Sequence, residues 1–230
     1  MSTASFLARR WPWASLGVLG AIALSIALLD RPIAYWARDL DPAIVRLCLR
    51  VTSLGEAVWY LVPLGIAIPV LYVAAARTRD ATRAARLRRL LWAAIFVFLA
   101  VALSGLLTDL LKILFGRARP VLLMREGYAG WQPFALKGKL HAFPSGHANT
   151  VVALALALGL LWPRLMKPML LLAAVVVLTR VAVGAHYLSD VIAGAAVGVV
   201  TTLWLHHAFA RRRLLEREEG GAPPARRFAD

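Results

Sequence analysis

Leu90 to Pro120 reads LLWAAIFVFLAVALSGLLTDLLKILFGRARP. From Leu90 to Leu111 the only charged residue is Asp109. A run of about 20 apolar residues is what a helix needs to cross the hydrocarbon core of a bilayer. Arg83, Arg86, Arg88 and Arg89 precede the run, and Lys112, Arg117 and Arg119 end it. An apolar stretch of membrane length held between cations reads as a transmembrane helix.

The same pattern recurs along the chain. Of 230 residues 60% are hydrophobic, and the mean hydropathy is +0.69. That exceeds the usual apolar content of a soluble domain. Six spans are expected: Trp13–Leu29, Ala57–Ala76, Leu90–Leu111, His147–Trp162, Pro168–Val183 and Tyr187–Leu205. The fold class is therefore all-α, a six-span transmembrane helical bundle. The fourth and fifth spans are short, so their ends belong at headgroup depth or beside a protein-lined cavity. Asp41-Pro42 supplies an N-cap and a first-turn proline. Ile44, Leu47 and Cys48 then share one face and Arg46 and Arg50 another, which predicts a short interfacial helix between spans one and two. The first span reads as a retained anchor, because it runs into Asp30-Arg31-Pro32 with no small-x-small cleavage pattern. Residues 1–215 are expected to form a single membrane domain. Residues 216–230 are charged and Gly/Pro-rich, and are expected to form a disordered cytoplasmic tail.

The net charge of +15 would point to nucleic acid in a soluble protein. Here the arginines flank apolar runs, so the charge is read as topology and no nucleic-acid partner is expected. With Lys112, Arg119 and Arg180 set aside, twice as many Lys and Arg residues fall on the N-terminal side as on the other. Both termini are accordingly assigned to the cytoplasm. Cys48 is the sole cysteine, which rules out an intrachain disulfide, and no Cys/His cluster offers a zinc site.

Three polar clusters then converge on the non-cytoplasmic face: Lys112 to Pro120, Pro144 to His147, and Thr179 to Asp190. Ionisable residues at membrane depth are costly and mark function. His186 and Asp190 are four apart and would share a helical face. A carboxylate bonded to one ring nitrogen leaves the other free to attack, and it stabilises the imidazolium that forms. Pro144-Ser145-Gly146 before His147 reads as a turn into a helix start, where backbone N–H groups bind anions. Gly146 admits close approach of the bound group. Lys112, Arg119 and Arg180 offer donors matched to phosphate oxygens. Taken singly, each has a structural reading: an interfacial hydrogen-bonder for a histidine, a snorkelling span terminus for Lys112, a loop for Arg119-Pro120. Their joint spacing favours a phosphate site.

That spacing resembles the type 2 phosphatidic acid phosphatase superfamily, which includes lipid phosphate phosphatases and vanadium haloperoxidases. The first motif is matched by Lys112, six residues, and Arg119-Pro120, and the second by Pro144 to His147. The third is matched by Thr179-Arg180, five residues, His186, three residues and Asp190, with Thr179 in place of the family's Ser. The resemblance covers about Leu91 to Leu205 and fits the integral-membrane branch. It implies that His186 is the nucleophile, forming a phosphohistidine, and that His147 protonates the leaving oxygen. Asp190 would support His186. Lys112, Arg119, Arg180, Ser145 and the Gly146 N–H would grip phosphate. No metal and no cofactor are implied, and vanadate should inhibit.

The resemblance implies a lipid phosphatase, and the charge count places its site at the non-cytoplasmic face of the cell (inner) membrane. The implied substrates are undecaprenyl pyrophosphate, ranked first, then lipid A phosphates, with phosphatidylglycerol phosphate and phosphatidic acid also in view. The alternatives are a lipid-to-lipid phosphotransferase, a vanadium-dependent halide oxidase, and a non-enzymatic lipid phosphate carrier. The apolar character speaks against the oxidase, and the histidine pair with Asp190 against the carrier. Outside the motifs, Asp109 is read as orienting Lys112, Glu56 as a residue facing the cavity, and His141 as a loop histidine. Arg117, Arg125, Lys137 and Lys139 make the 113–146 loop basic, either to attract anionic headgroups or as a solvated loop. Trp131, Phe134 and Phe143 are placed at the interface. Gly194 and Gly198 predict close helix packing within the protein in preference to dimerisation, and the sequence assigns no oligomeric state.

Overall fold

The computed structural model describes residues 3–212, 214 and 215, with side chains from Trp11 onward. The expected tail at 216–230 lies outside the described residues. Among the described residues nine α-helices follow one another: α1 (Thr3–Leu24), α2 (Asp30–Arg38), α3 (Pro42–Thr52), α4 (Val58–Arg77), α5 (Ala81–Phe115), α6 (Pro120–Glu126), α7 (Gly146–Leu161), α8 (Met166–Ala182) and α9 (Leu188–Arg211). Five stretches of the described residues are long and apolar enough to cross a membrane, and α7 is a shorter apolar helix beside them. The protein is a multi-pass helical membrane protein.

The first span differs from expectation at its end. The helix does not stop at Asp30-Arg31-Pro32 but continues to Arg38, with a π-helical turn at Ser25–Leu29 joining α1 to α2. Pro32 has no N–H for the preceding turn, and a widened turn just before it accommodates the ring. At the start of α3, the Asp41 side chain accepts from the Ala43 N–H at 2.6 Å and Pro42 takes the first position, as the sequence predicts. This helix packs against α8. Helix α5 begins at Ala81, earlier than its apolar run, because Asp80 caps the Thr82 and Arg83 N–H groups. It ends at Gly116, whose φ of 59° favours glycine and turns the chain sharply after Lys112.

The core lies among α5, α7 and α9, where Phe96, Ala100, Ala157, Leu205 and Phe209 meet. Helices α7 and α9 come into backbone contact. A Cβ on Gly194 would overlap the Ser145 carbonyl oxygen, and one on Gly198 would lie 2.8 Å from the Asn149 carbonyl oxygen. The Gly194/Gly198 pair thus packs helices within the protein. The C-terminal ends of α5 and α8 and the N-terminal ends of α7 and α9 carry the three polar clusters, so antiparallel packing puts all three at one end of the bundle.

Gly194→Ala should therefore destabilise by about 1–3 kcal/mol, since neither backbone can yield freely. Thermal unfolding in detergent should show a midpoint lower by about 2–4 °C per kcal/mol. Gly105→Ala, whose added Cβ meets nothing within 4 Å, should leave the midpoint unchanged.

Candidate active site

Lys112 occupies the last turn of α5, and its Nζ would lie 3.0 Å from a Cβ on Gly146, so ammonium and helix start adjoin. Asp109 accepts from Lys112 Nζ at 2.7 Å while staying largely in the open, with 69% of its side chain exposed. The two residues stand three apart on α5, one helical turn from each other. Arg119 precedes α6, and Arg180 sits in the last turn of α8. These two guanidinium groups lie close enough to repel each other, and His147 and His186 both feel them. Among the described residues neither forms an ion pair, and the Nε of each is buried without a hydrogen-bond partner. One nitrogen of Arg180 donates to Thr52 Oγ1 at 3.0 Å.

Ser145 is the N-cap of α7 and Gly146 its first residue. Ser145 is fully buried, its hydroxyl has no hydrogen-bond partner, and its N–H donates to the Asp190 carbonyl at 2.9 Å. His147 lies against Gly55, where an added Cβ would stand 2.8 Å from the ring Cδ2. Glu56 is exposed and within electrostatic reach of Arg180.

His186 lies in the turn between α8 and α9, not on the helix, and is 3% exposed. The ring is held differently from the sequence expectation. Nδ1 donates to the Ala142 carbonyl at 2.8 Å, while the Asp190 carboxylate stands 3.6 Å away. A carbonyl only accepts, so Nδ1 must carry the proton and Nε2 is left with its lone pair. The outcome is the tautomer protonated at Nδ1, with Asp190 as a nearby charge and not the bonding partner. Asp190 meanwhile caps α9 by accepting from the Tyr187 N–H at 2.8 Å.

Other residues take structural places. The Thr179 hydroxyl donates to the Val176 carbonyl of its own helix at 2.6 Å. His141 donates to the Ala135 carbonyl at 2.8 Å and ties the loop together. Trp131 packs edge-on against Phe115 and Phe143, whereas Phe134 is exposed.

Arg117 is the main correction. It is not a solvated loop cation: it is 4% exposed and bridges Asp190 and Asp30 at 2.5 and 2.6 Å. Sequence reading missed Asp30, Thr52 and Gly55 as neighbours of this site. For Asp30 a signal existed, because a carboxylate directly after an apolar run is costly in lipid. Thr52 and Gly55 carried none.

A family model described as the PAP2 superfamily matches residues 91–214. The lipid A 1-phosphatase of Rhizobium etli is 35% identical over 223 residues, covering 95% of this chain and 94% of that protein. That of Rhizobium johnstonii is 35% identical over 225 residues, covering 95% and 89%. The fold is similar to a crystal structure of a transmembrane PAP2-type phosphatidylglycerolphosphate phosphatase from Bacillus subtilis. Its TM-score is 0.59 at 19% identity, covering 89% of this chain and 98% of that one. The helical bundle and the end-to-end relatives define a membrane-embedded phosphatase. The chain belongs to the PAP2 superfamily. Asp30, Thr52 and Gly55 all precede the segment that the family model matches.

Burial pushes the His186 imidazole below its ordinary value, and Asp190 opposes that shift. On the resemblance's expectation that His186 is the attacking group, the ring must be unprotonated, so activity is expected above its pKa and lost as pH falls through it. The acid limb of kcat/KM should thus lie below about pH 6.5, the ordinary histidine value. Asp190→Asn removes the opposing charge and should move that limb further down while lowering kcat, as a pH–rate profile would reveal.

Proposed function

We propose that this protein is a lipid phosphatase that hydrolyses the 1-phosphate of lipid A through a phosphohistidine intermediate. The observation that carries the chemistry is the convergence of Lys112, Arg119 and Arg180 on the His147/His186 pair, two of these cations lacking a carboxylate partner among the described residues. Buried cations of this kind call for an anion, and guanidinium groups fit phosphate oxygens. Lipid A now ranks above undecaprenyl pyrophosphate, because both relatives that match almost end to end are named lipid A 1-phosphatases.

In this reading Lys112, Arg119, Arg180, Ser145 and the Gly146 N–H hold the phosphate. The lone pair of His186 Nε2 forms a bond to phosphorus as the bond from phosphorus to the lipid oxygen breaks. His147 gives that oxygen its proton. Water then attacks phosphorus, His147 takes a proton from it, and the P–N bond breaks to free inorganic phosphate and restore His186. The cations offset the charge on the transferring group, so the chemistry is independent of metal. The excess of arginines on the N-terminal side supports cytoplasmic termini and a site on the periplasmic side of the inner membrane.

Purified protein should release inorganic phosphate from lipid A in EDTA, and His186→Ala should cut the rate by about 1,000-fold or more while the protein still inserts and folds. An absolute Mg²⁺ requirement would remove the metal-free reading. Release that appears only with an acceptor lipid present would make the protein a phosphotransferase.

A further inference from the structure

Arg117 reaches His186 by two routes. Its side chain donates to Asp190 Oδ1 at 2.5 Å, leaving Oδ2 to face the His186 ring. Its main-chain carbonyl accepts from the Ala142 N–H at 3.0 Å, and the Ala142 carbonyl in turn receives the His186 Nδ1 proton. The guanidinium is clamped between aromatic faces, 4.4 Å from the Tyr187 ring centroid and 4.9 Å from that of Trp131.

Behind Arg117 stands Asp30, 2% exposed. Oδ1 accepts from Ser25 Oγ at 2.7 Å and the Ser189 N–H at 3.0 Å. Oδ2 accepts from Arg117 Nη2 at 2.6 Å and Ser189 Oγ at 2.5 Å. Four donors on one carboxylate describe an ionised acceptor that cannot turn. The π-helical turn supplies the geometry. On an α-helix residues five apart diverge by about 140°, whereas the wider i→i+5 turn brings Ser25 and Asp30 together. Such turns cluster at functional sites.

We propose that Asp30 and Arg117 are positioning residues for His186, through which the first membrane helix sets the orientation and charge of the Asp190 carboxylate. The proposal rests on His186 being the nucleophile, as read above. The cluster Asp30–Arg117–Asp190 holds two carboxylates and one guanidinium, one negative charge in excess. When His186 takes the phosphoryl group and keeps its Nδ1 proton, the ring becomes cationic beside Asp190 and the cluster is neutralised. Arg117 keeps Asp190 from being a bare charge in the resting site, and Asp30 prevents Arg117 from cancelling it. The groups facing the His186 ring from the other packed elements are Arg180 on α8, Arg119 before α6 and His147 on α7.

The test uses the full-length protein in detergent with lipid A as substrate, reading kcat, KM and the acid limb of kcat/KM. Asp30→Asn removes a negative charge, so the limb should move down by about half a pH unit or more. Arg117→Gln removes a positive charge, so the limb should move up by a similar amount. In the double variant the charge excess is restored, and the limb should return toward that of the parent. Each single variant should lose kcat by about tenfold to a hundredfold, with KM within about twofold, because the phosphate-holding side chains are untouched. If Arg117→Gln fails to fold, Arg117→Lys keeps the charge but not the two-pronged geometry, and should lower kcat with the limb unmoved. Loss of activity in Asp30→Asn and Arg117→Gln with both limbs unmoved, or moved the same way, would reduce the network to a structural brace and overturn the proposal. Full activity in His186→Ala would instead defeat the phosphohistidine reading itself, so the two failures are told apart.

Discussion

A guanidinium can be buried in an apolar bundle only where carboxylates and other acceptors replace the water it has lost, and Arg117 is placed where they do. Asp30 from the end of the first apolar run and Asp190 from α9 both bind it, with Ser189 between them. Removing one member of a buried pair commonly costs about 3–5 kcal/mol, since the survivor is left charged and dry. The network thus joins the first helix, the turn after α5, and the start of α9 at the level of His186. The same rule distinguishes the neighbouring arginines. Arg119 and Arg180 are held near each other without an ion pair among the described residues, so an anion brought between them would give these cations what Asp30 and Asp190 give Arg117.

Close helix packing brings the rest of the site to that network. Gly194 lets α9 press on the Ser145 carbonyl, and the Asp190 carbonyl accepts from the Ser145 N–H. The turn ahead of α7 and the start of α9 are therefore one unit, and His147 leaves it with its ring laid against Gly55. Lys112 joins from α5 because Gly116 ends that helix one turn later. Precision here comes from backbone contact, which side-chain motion relaxes little.

Much of this was legible in the chain. Membrane helices satisfy their own backbone hydrogen bonds, so apolar length located their apolar stretches though not their ends, and the Asp41-Pro42 cap located α3. The motif residues Lys112, Arg119, His147, Arg180 and His186 are near one another because each sits at a helix end on the same side, which topology dictates. What spacing misjudged is instructive. His186 and Asp190 are four apart, but His186 lies ahead of the helix, so its proton goes to the Ala142 carbonyl.

Arg117 and Arg119 draw the boundary most sharply. Both are arginines in one short basic segment, and local sequence treats them alike. Composition, hydropathy and motif spacing determined the apolar helices, the gathering of the polar clusters at one end of the bundle and the residue types available there, because these depend on local or periodic properties. Which arginine is neutralised by carboxylates and which faces the histidines depends on groups 73 and 87 residues away. Only the tertiary structure decides that, since burial and pairing are properties of the packed bundle and not of any segment in it.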